Sequence, residues 1–134
     1  MAPDRPARAS RPGATPPPLA PLDRKTRAAL RRGTQAVDGV IDLHGLRQAE
    51  AQQALVAFLH RSQRAGRKLV LVITGKGAAS SGEPFQERGV LRRVVPHWLR
   101  LPELRRVVVG FEQAAAQHGG PGALYVRLRR PAGP

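Results

Sequence analysis

The chain contains no cysteine and few aromatic residues, and both absences exclude kinds of site. Without cysteine, its 134 residues form no disulfide, no zinc-binding thiolate and no cysteine nucleophile. One Trp, one Tyr and three Phe are too few for an extended base-stacking platform. No apolar run approaches the roughly 18 residues of a membrane span, and the N-terminal residues lack the apolar core of a secretory signal. We therefore expect a cytoplasmic protein.

Acidic residues are also scarce, so the chain is strongly basic. It has 9 Asp and Glu against 23 Lys and Arg, a formal net charge of +14. From Gly33 onward 15 cations stand against 7 anions, so the globular part keeps +8. This charge indicates a polyanionic partner, nucleic acid rather than a membrane face. The arginine bias of a GC-rich genome is the alternative explanation for the charge alone.

Composition divides the chain into a tail, a helical leader and one globular domain. Residues 1–22 hold 7 of the 13 prolines and few large apolar side chains, which predicts a disordered basic tail. Residues 23–39 are predicted to form a short helix and a linker, with Asp23 as the N-cap and Gly33 as the stop. The domain spans residues 40–130, enough for one modest core, and residues 131–134 form a C-terminal tail.

Apolar periodicity within the domain predicts the element order β-α-β-α-β-β. Strand–helix–strand links normally make parallel neighbours. We therefore expect an α/β fold, a two-layer sandwich with three parallel strands and an antiparallel last strand. The predicted strands are Val40–His44, Leu69–Ile73, Arg105–Phe111 and Ala123–Leu128, and the predicted helices are Arg47–Arg64 and Val90–Leu99, the second interrupted by Pro96.

Three motifs at the ends of the predicted strands carry the chemically useful groups. Asp42 and His44 are two residues apart on a strand and project the same way. A carboxylate beside an imidazole suits acid–base catalysis. Thr74-Gly75-Lys76-Gly77 follows a buried strand, and His118-Gly119-Gly120-Pro121-Gly122 precedes the last one. Taken singly, each motif is also explained by a structural hydrogen bond or an ordinary glycine turn, and Thr74–Gly77 alone favours the turn.

The expected topology brings the three motifs to the carboxyl edge of one sheet, where open parallel sheets bind ligands. Asp42 would orient His44, and His44 would act as general base or acid. Lys76 and the loop amides would stabilise negative charge on a phosphate, and His118 would be the second acid or base, or a phosphate ligand. An arginine-rich rim would hold the flanking backbone: Arg47, Arg92, Arg93, Arg127 and Arg129.

The ordered set of motifs resembles the Smr (small MutS-related) domain, over about Val40 to Arg130. The segments that carry the resemblance are Ile41-Asp42-Leu43-His44-Gly45-Leu46, Thr74–Gly77, Gly89-Val90-Leu91 with Trp98-Leu99, and His118–Ala123 before Tyr125-Val126. The resemblance implies a fold like the C-terminal domain of bacterial translation initiation factor three. It also implies endonuclease activity, as in DNA nicking or RNA cleavage on stalled ribosomes. The implied nucleic-acid contacts include Gly45, Thr74, Gly75, Gly77, Gly119, Gly120 and Gly122.

These observations leave three functions open. The first is an endonuclease acting on RNA or DNA. The second is a non-catalytic nucleic-acid- or ribosome-binding module that uses the same loops as a phosphate clamp. The third is a protein-interaction adaptor acting through the proline-rich tail. The residues indicate no closed metal site, but a mechanism assisted by Mg²⁺ or Mn²⁺ stays as open as a metal-free one. Glu83 and Glu87 of the long loop could reach the site. We expect a monomer.

Overall fold

A four-stranded sheet forms the centre of the protein in the computed structural model, which describes residues 16–75 and 89–131. The strands lie in the order β1-β2-β4-β3. β1 pairs in parallel with β2, and β4 runs antiparallel to both β2 and β3. Three strands therefore point one way and the last is reversed, as the sequence predicted. The strands are β1 (Gly39–Asp42), β2 (Leu69–Ile73), β3 (Val108–Gln113) and β4 (Ala123–Leu128).

Two helices cover one face of this sheet. They are α2 (Gln48–Arg64) and α3 (Val90–Leu99), followed by the short α4 (Pro102–Arg105). Leu55 and Leu59 of α2 and Val95 of α3 are fully buried in one cluster with Val70 and Val72 of β2. Each such side chain contributes about 1.5–3 kcal/mol through its burial. The α/β sandwich is thus confirmed. Within the described residues, every helix is too short or too polar to cross a membrane.

A further helix, α1 (Arg24–Arg32), covers part of the opposite face. Its Leu30 and the preceding Leu22 are buried with Leu71 and Tyr125 in a second apolar cluster. The Asp23 carboxylate accepts the Thr26 N–H at 2.9 Å, and this hydrogen bonding lowers the pKa of Asp23. Capping of this kind satisfies N–H groups that have no partner inside the helix. The leader helix therefore adds a partial third layer to the expected two.

The disordered tail predicted over residues 1–22 lies partly outside the described residues, but its end makes specific contacts. The Ala20 N–H donates to the Val109 carbonyl at 2.8 Å, along the outer side of β3. The Arg129 guanidinium donates to the Pro18 carbonyl at 3.0 Å. A Cβ atom on Gly110 would lie 1.7 Å from the Ala20 carbonyl oxygen, so this close approach requires glycine. Residues 16–22 therefore belong to the fold.

Two predicted strands have wrong boundaries at both ends: β1 begins one residue early, at Gly39, and β3 continues two residues further, to Gln113. β1 ends at Asp42 rather than His44, because the Asp42 carboxylate accepts the His44 N–H and turns the chain. β3 begins at Val108 rather than Arg105, because Pro102 starts the α4 turn, a position where proline suits a helix. The predicted bounds of β2, α3 and β4 agree with the structure.

Candidate active site

The described parts of the three motifs meet at the carboxyl edge of the sheet. The Thr74 and Gly75 N–H groups, after β2, both donate to the Gly122 carbonyl, at 2.8 and 3.0 Å. Gly75 also lies against the loop that follows β1, where a Cβ atom added to it would be 3.2 Å from Cβ of His44. Thr74 and Gly75 therefore connect the loop after β1 with the loop before β4.

Asp42 and His44 form a hydrogen-bonded pair at this edge of the sheet. Leu43 between them is fully buried and anchors the turn. Oδ1 of Asp42 lies 2.6 Å from Nδ1 of His44. An ionised carboxylate only accepts hydrogen bonds, so Nδ1 carries the proton and Nε2 of the neutral ring keeps its lone pair. The His44 side chain is 67 % exposed, so a macromolecular substrate can reach that nitrogen.

His118 is held by a different partner. It ends a 3₁₀ turn (Ala116–His118), and its Nδ1 lies 2.5 Å from the hydroxyl of Tyr125. The two rings meet edge to face at 75°. Tyr125 is buried in β4, and its hydroxyl also accepts the Ala115 N–H at 3.2 Å. Sequence reasoning missed Tyr125, although a buried tyrosine usually hydrogen-bonds its hydroxyl, and this is the chain's only tyrosine.

Both imidazoles are therefore fixed through Nδ1. Within residues 16–75 and 89–131, Nε2 of His44 and Nε2 of His118 have no hydrogen-bond partner. Each ring is therefore oriented by its own partner and keeps one nitrogen for proton transfer.

Four of the glycine amides that the structure describes in these loops are already hydrogen-bonded. The Gly75 N–H donates to the Gly122 carbonyl, and the Gly119, Gly120 and Gly122 N–H groups donate within their own loop. The Thr74 hydroxyl donates to the Gly122 carbonyl at 3.3 Å. These groups are not free to bind a phosphate. Gly75, at φ 83°, and Gly119, at φ 118°, instead adopt the left-handed conformation that shapes the loops. Gly45 is exposed, at φ 86°.

The predicted arginine rim is only partly at this edge. Arg47 is exposed at the start of α2, and Arg92 and Arg93 are exposed near the start of α3. These helices follow β1 and β2, so their first turns lie at the carboxyl edge. Arg127 instead pairs in register with Leu69, at the other end of the sheet and about 13 Å along β4 from Ala123.

Arg129 follows β4 at that same far end, where its Nε donates to the Arg105 carbonyl. Arg127 and Arg129 therefore lie away from the carboxyl edge, where the rim was expected. Four other predicted residues, Lys76, Gly77, Glu83 and Glu87, lie outside the described residues. Over the described ranges, no three His, Cys, Asp or Glu side chains group as metal ligands would.

Comparison with known proteins identifies the domain. The model of the Smr domain family matches residues 41–129 of this chain. The chain belongs to the Smr domain family. A solved structure supports the assignment: the Smr domain of Thermus thermophilus MutS2 is 28% identical, with a TM-score of 0.54, and the match covers 68% of this chain and 98% of that one.

Other relatives of this Smr protein are longer or more distant. The ribosome rescue factor SmrB of Shewanella putrefaciens is 35% identical over 99 residues, 74% of this chain and 49% of that protein. The chain thus spans about half the length of the curated relatives it matches. YdaL, a stand-alone small MutS-related protein from Escherichia coli, has a TM-score of 0.62 at 23% identity, covering 84% of this chain and 81% of that one, and so shares the fold.

Proposed function

We propose that this Smr domain is an endonuclease that cleaves a phosphodiester bond of nucleic acid. The observation that carries the proposal is the Asp42–His44 pair. The carboxylate orients the ring through Nδ1 at 2.6 Å, and it stabilises the imidazolium that forms when Nε2 takes a proton. Positioned proton transfer of this kind typically accelerates a reaction by about 10²–10⁴.

On RNA, the two imidazoles divide the work. Nε2 of His44 takes the proton of the 2′-hydroxyl while that oxygen attacks the phosphorus. The bond from phosphorus to O5′ breaks, and Nε2 of protonated His118 gives its proton to O5′. The products are a 2′,3′-cyclic phosphate and a 5′-hydroxyl. On DNA, which lacks the 2′-hydroxyl, water would be the nucleophile. Lys76 would stabilise the negative charge that develops on the phosphate.

The names of the relatives favour RNA on the ribosome as the substrate. Proteins 33–35% identical to this chain are named ribosome rescue factors. The net charge of +14 suits binding to a ribosome, which is a polyanion. A protein that acts on bacterial ribosomes would work in the cytoplasm. A binding module without catalysis is the second candidate, because exposed arginines beside the site, such as Arg47 and Arg93, would hold phosphates whether or not the bond is cut.

A cleavage assay distinguishes the two candidates. End-labelled single-stranded RNA and duplex, nicked and branched DNA are incubated with wild type and with the double variant Asp42→Ala, His44→Ala. Each reaction is run with EDTA, with Mg²⁺ and with Mn²⁺. Breakage by wild type alone supports the endonuclease and identifies its substrate and metal requirement. Tight binding without breakage by either protein would replace it with the binding module.

A further inference from the structure

The leader helix α1 touches the candidate active site directly. Nε2 of Gln117 donates to the carbonyls of Leu30 and Arg31, at 3.2 and 2.9 Å. Gln117 immediately precedes His118 in the same 3₁₀ turn. The C-terminal turn of α1 is therefore joined to the turn that carries the second imidazole.

Apolar packing and an ion pair stabilise this contact between α1 and the 3₁₀ turn. Leu30 is fully buried in the cluster that contains Tyr125, and Tyr125 is the residue that holds the His118 ring. One turn earlier on α1, Arg27 forms an ion pair with Glu112 of β3 at 3.2 Å. The helix is thus fixed to the sheet by apolar, ionic and hydrogen-bonding contacts, and its last turn has a defined position beside the site.

That last turn presents two arginines to solvent. Arg31 and Arg32 are both exposed. Unlike Arg27, neither of them forms an ion pair with an acidic side chain in the part of the chain that the structure describes. Both precede residue 41, where the match to the Smr domain model begins. An exposed pair of guanidinium groups next to a phosphodiester site suits the backbone of a strand that passes through that site.

We propose that Arg31 and Arg32 form a second nucleic-acid contact, which binds the phosphates of the strand that extends from the scissile bond past His118. The inference rests on the proposed function, because it assigns the substrate's path at that same site. The ligand chemistry is the phosphodiester backbone, common to RNA and DNA. The contact therefore adds affinity and does not require a particular base.

The test measures binding without relying on cleavage. Fluorescence anisotropy gives the Kd of a labelled single-stranded RNA and of a duplex DNA at several salt concentrations. The proteins compared are wild type, Arg31→Ala with Arg32→Ala, and the control Arg24→Ala with Lys25→Ala. The control removes two exposed cations from the same helix, but at its first turn, about 10 Å from Arg31. Circular dichroism confirms that each variant is folded.

Loss of two phosphate contacts is expected to weaken RNA binding on the order of tenfold near physiological salt and to lower the salt slope by about 1.4. The control pair is expected to bind as wild type does. If both double variants weakened binding equally, or if neither weakened it, the inference would be overturned. The proposed cleavage activity of wild type would not be affected by that result. A wild type that binds neither probe would overturn both the inference and the proposed function. The probe whose binding is weakened, RNA or DNA, identifies the nucleic acid that supplies the phosphates.

Discussion

Asp42 holds His44 at two points. Oδ1 of its carboxylate lies 2.6 Å from Nδ1 of the ring and also accepts the backbone N–H of His44 at 3.0 Å. One oxygen therefore fixes both the turn that ends β1 and the orientation of the imidazole. The same contact determines the tautomer, which leaves Nε2 as the proton acceptor.

Asp42→Asn tests the role of the negative charge. The amide keeps the shape of the side chain but does not stabilise an imidazolium. We expect the single-turnover cleavage rate to fall by about 10²–10⁴, whereas the Kd for the same RNA changes little. Gel-based cleavage and anisotropy on one preparation measure both quantities. Undiminished cleavage by the variant would show that the carboxylate has no part in the chemistry.

Gly75→Ala tests the contact between the first two loops. The new methyl group would lie 3.2 Å from Cβ of His44, at a residue with φ 83°. Gly66→Ala is the matched control, since Gly66 has φ 79° and no atom within 4 Å of the added Cβ. Both variants are expected to lose roughly 1–2 kcal/mol of stability in thermal unfolding. Only Gly75→Ala is expected to lower the cleavage rate. If both variants lowered the cleavage rate equally, Gly75 would have no specific role beside His44.

Tyr125→Phe tests the support of His118. It keeps the buried ring but removes the hydroxyl that contacts Nδ1 of His118 and accepts the Ala115 N–H. We expect the free energy of unfolding to fall by about 1–3 kcal/mol and kcat to fall with little change in KM. In a His118→Ala background the effect on kcat should disappear, because the hydroxyl acts through that ring. A persisting effect would assign Tyr125 another role.

Gly110→Ala tests the docking of the leader on β3. A methyl group there cannot coexist with the Ala20 carbonyl at 1.7 Å. We expect residues 16–22 to detach, at a cost of about 1–3 kcal/mol, because the Ala20 hydrogen bond and the burial of Leu22 are lost. Limited trypsin digestion should then cut at Arg24 and Lys25. Gly39→Ala is the control, since the added methyl group would contact only the flexible Arg67 side chain. Resistance of Gly110→Ala to trypsin would refute this arrangement.

The elements that the sequence specified correctly carry strong local signals. Strand β2, Leu69–Ile73, is a continuous apolar run. Helix α1 begins after the N-cap Asp23 and ends at Gly33 in the left-handed conformation. Each of these signals depends on neighbouring residues alone. The convergence of the loops at the carboxyl edge followed from the predicted strand directions. The Asp42–His44 pair was predicted from two residues sharing one strand face, but β1 ends at Asp42, and the pair forms because the Asp42 carboxylate also accepts the His44 N–H in a turn.

The features that the sequence did not reveal depend on contacts between distant residues. Gln117 binds carbonyls of α1 86 and 87 positions earlier, and no local pattern marks a glutamine for that role. The end of the tail joins the fold only because Gly110 leaves room for Ala20. The amides of the glycine run are satisfied within their own 3₁₀ turns, which composition does not show. Arg127 is a different case, because the predicted strand Ala123–Leu128 starts at the site loop and so already placed Arg127 near its far end.

The single-turnover cleavage rate of His44→Ala tests the central claim most directly. The control is His97→Ala, which removes an exposed histidine from the last turn of α3. With the substrate that wild type cleaves, His44→Ala should bind with near wild-type Kd and cleave about 10²–10⁴ times more slowly, while His97→Ala should match wild type. Cleavage by His44→Ala at the wild-type rate would show that this histidine is not the general base.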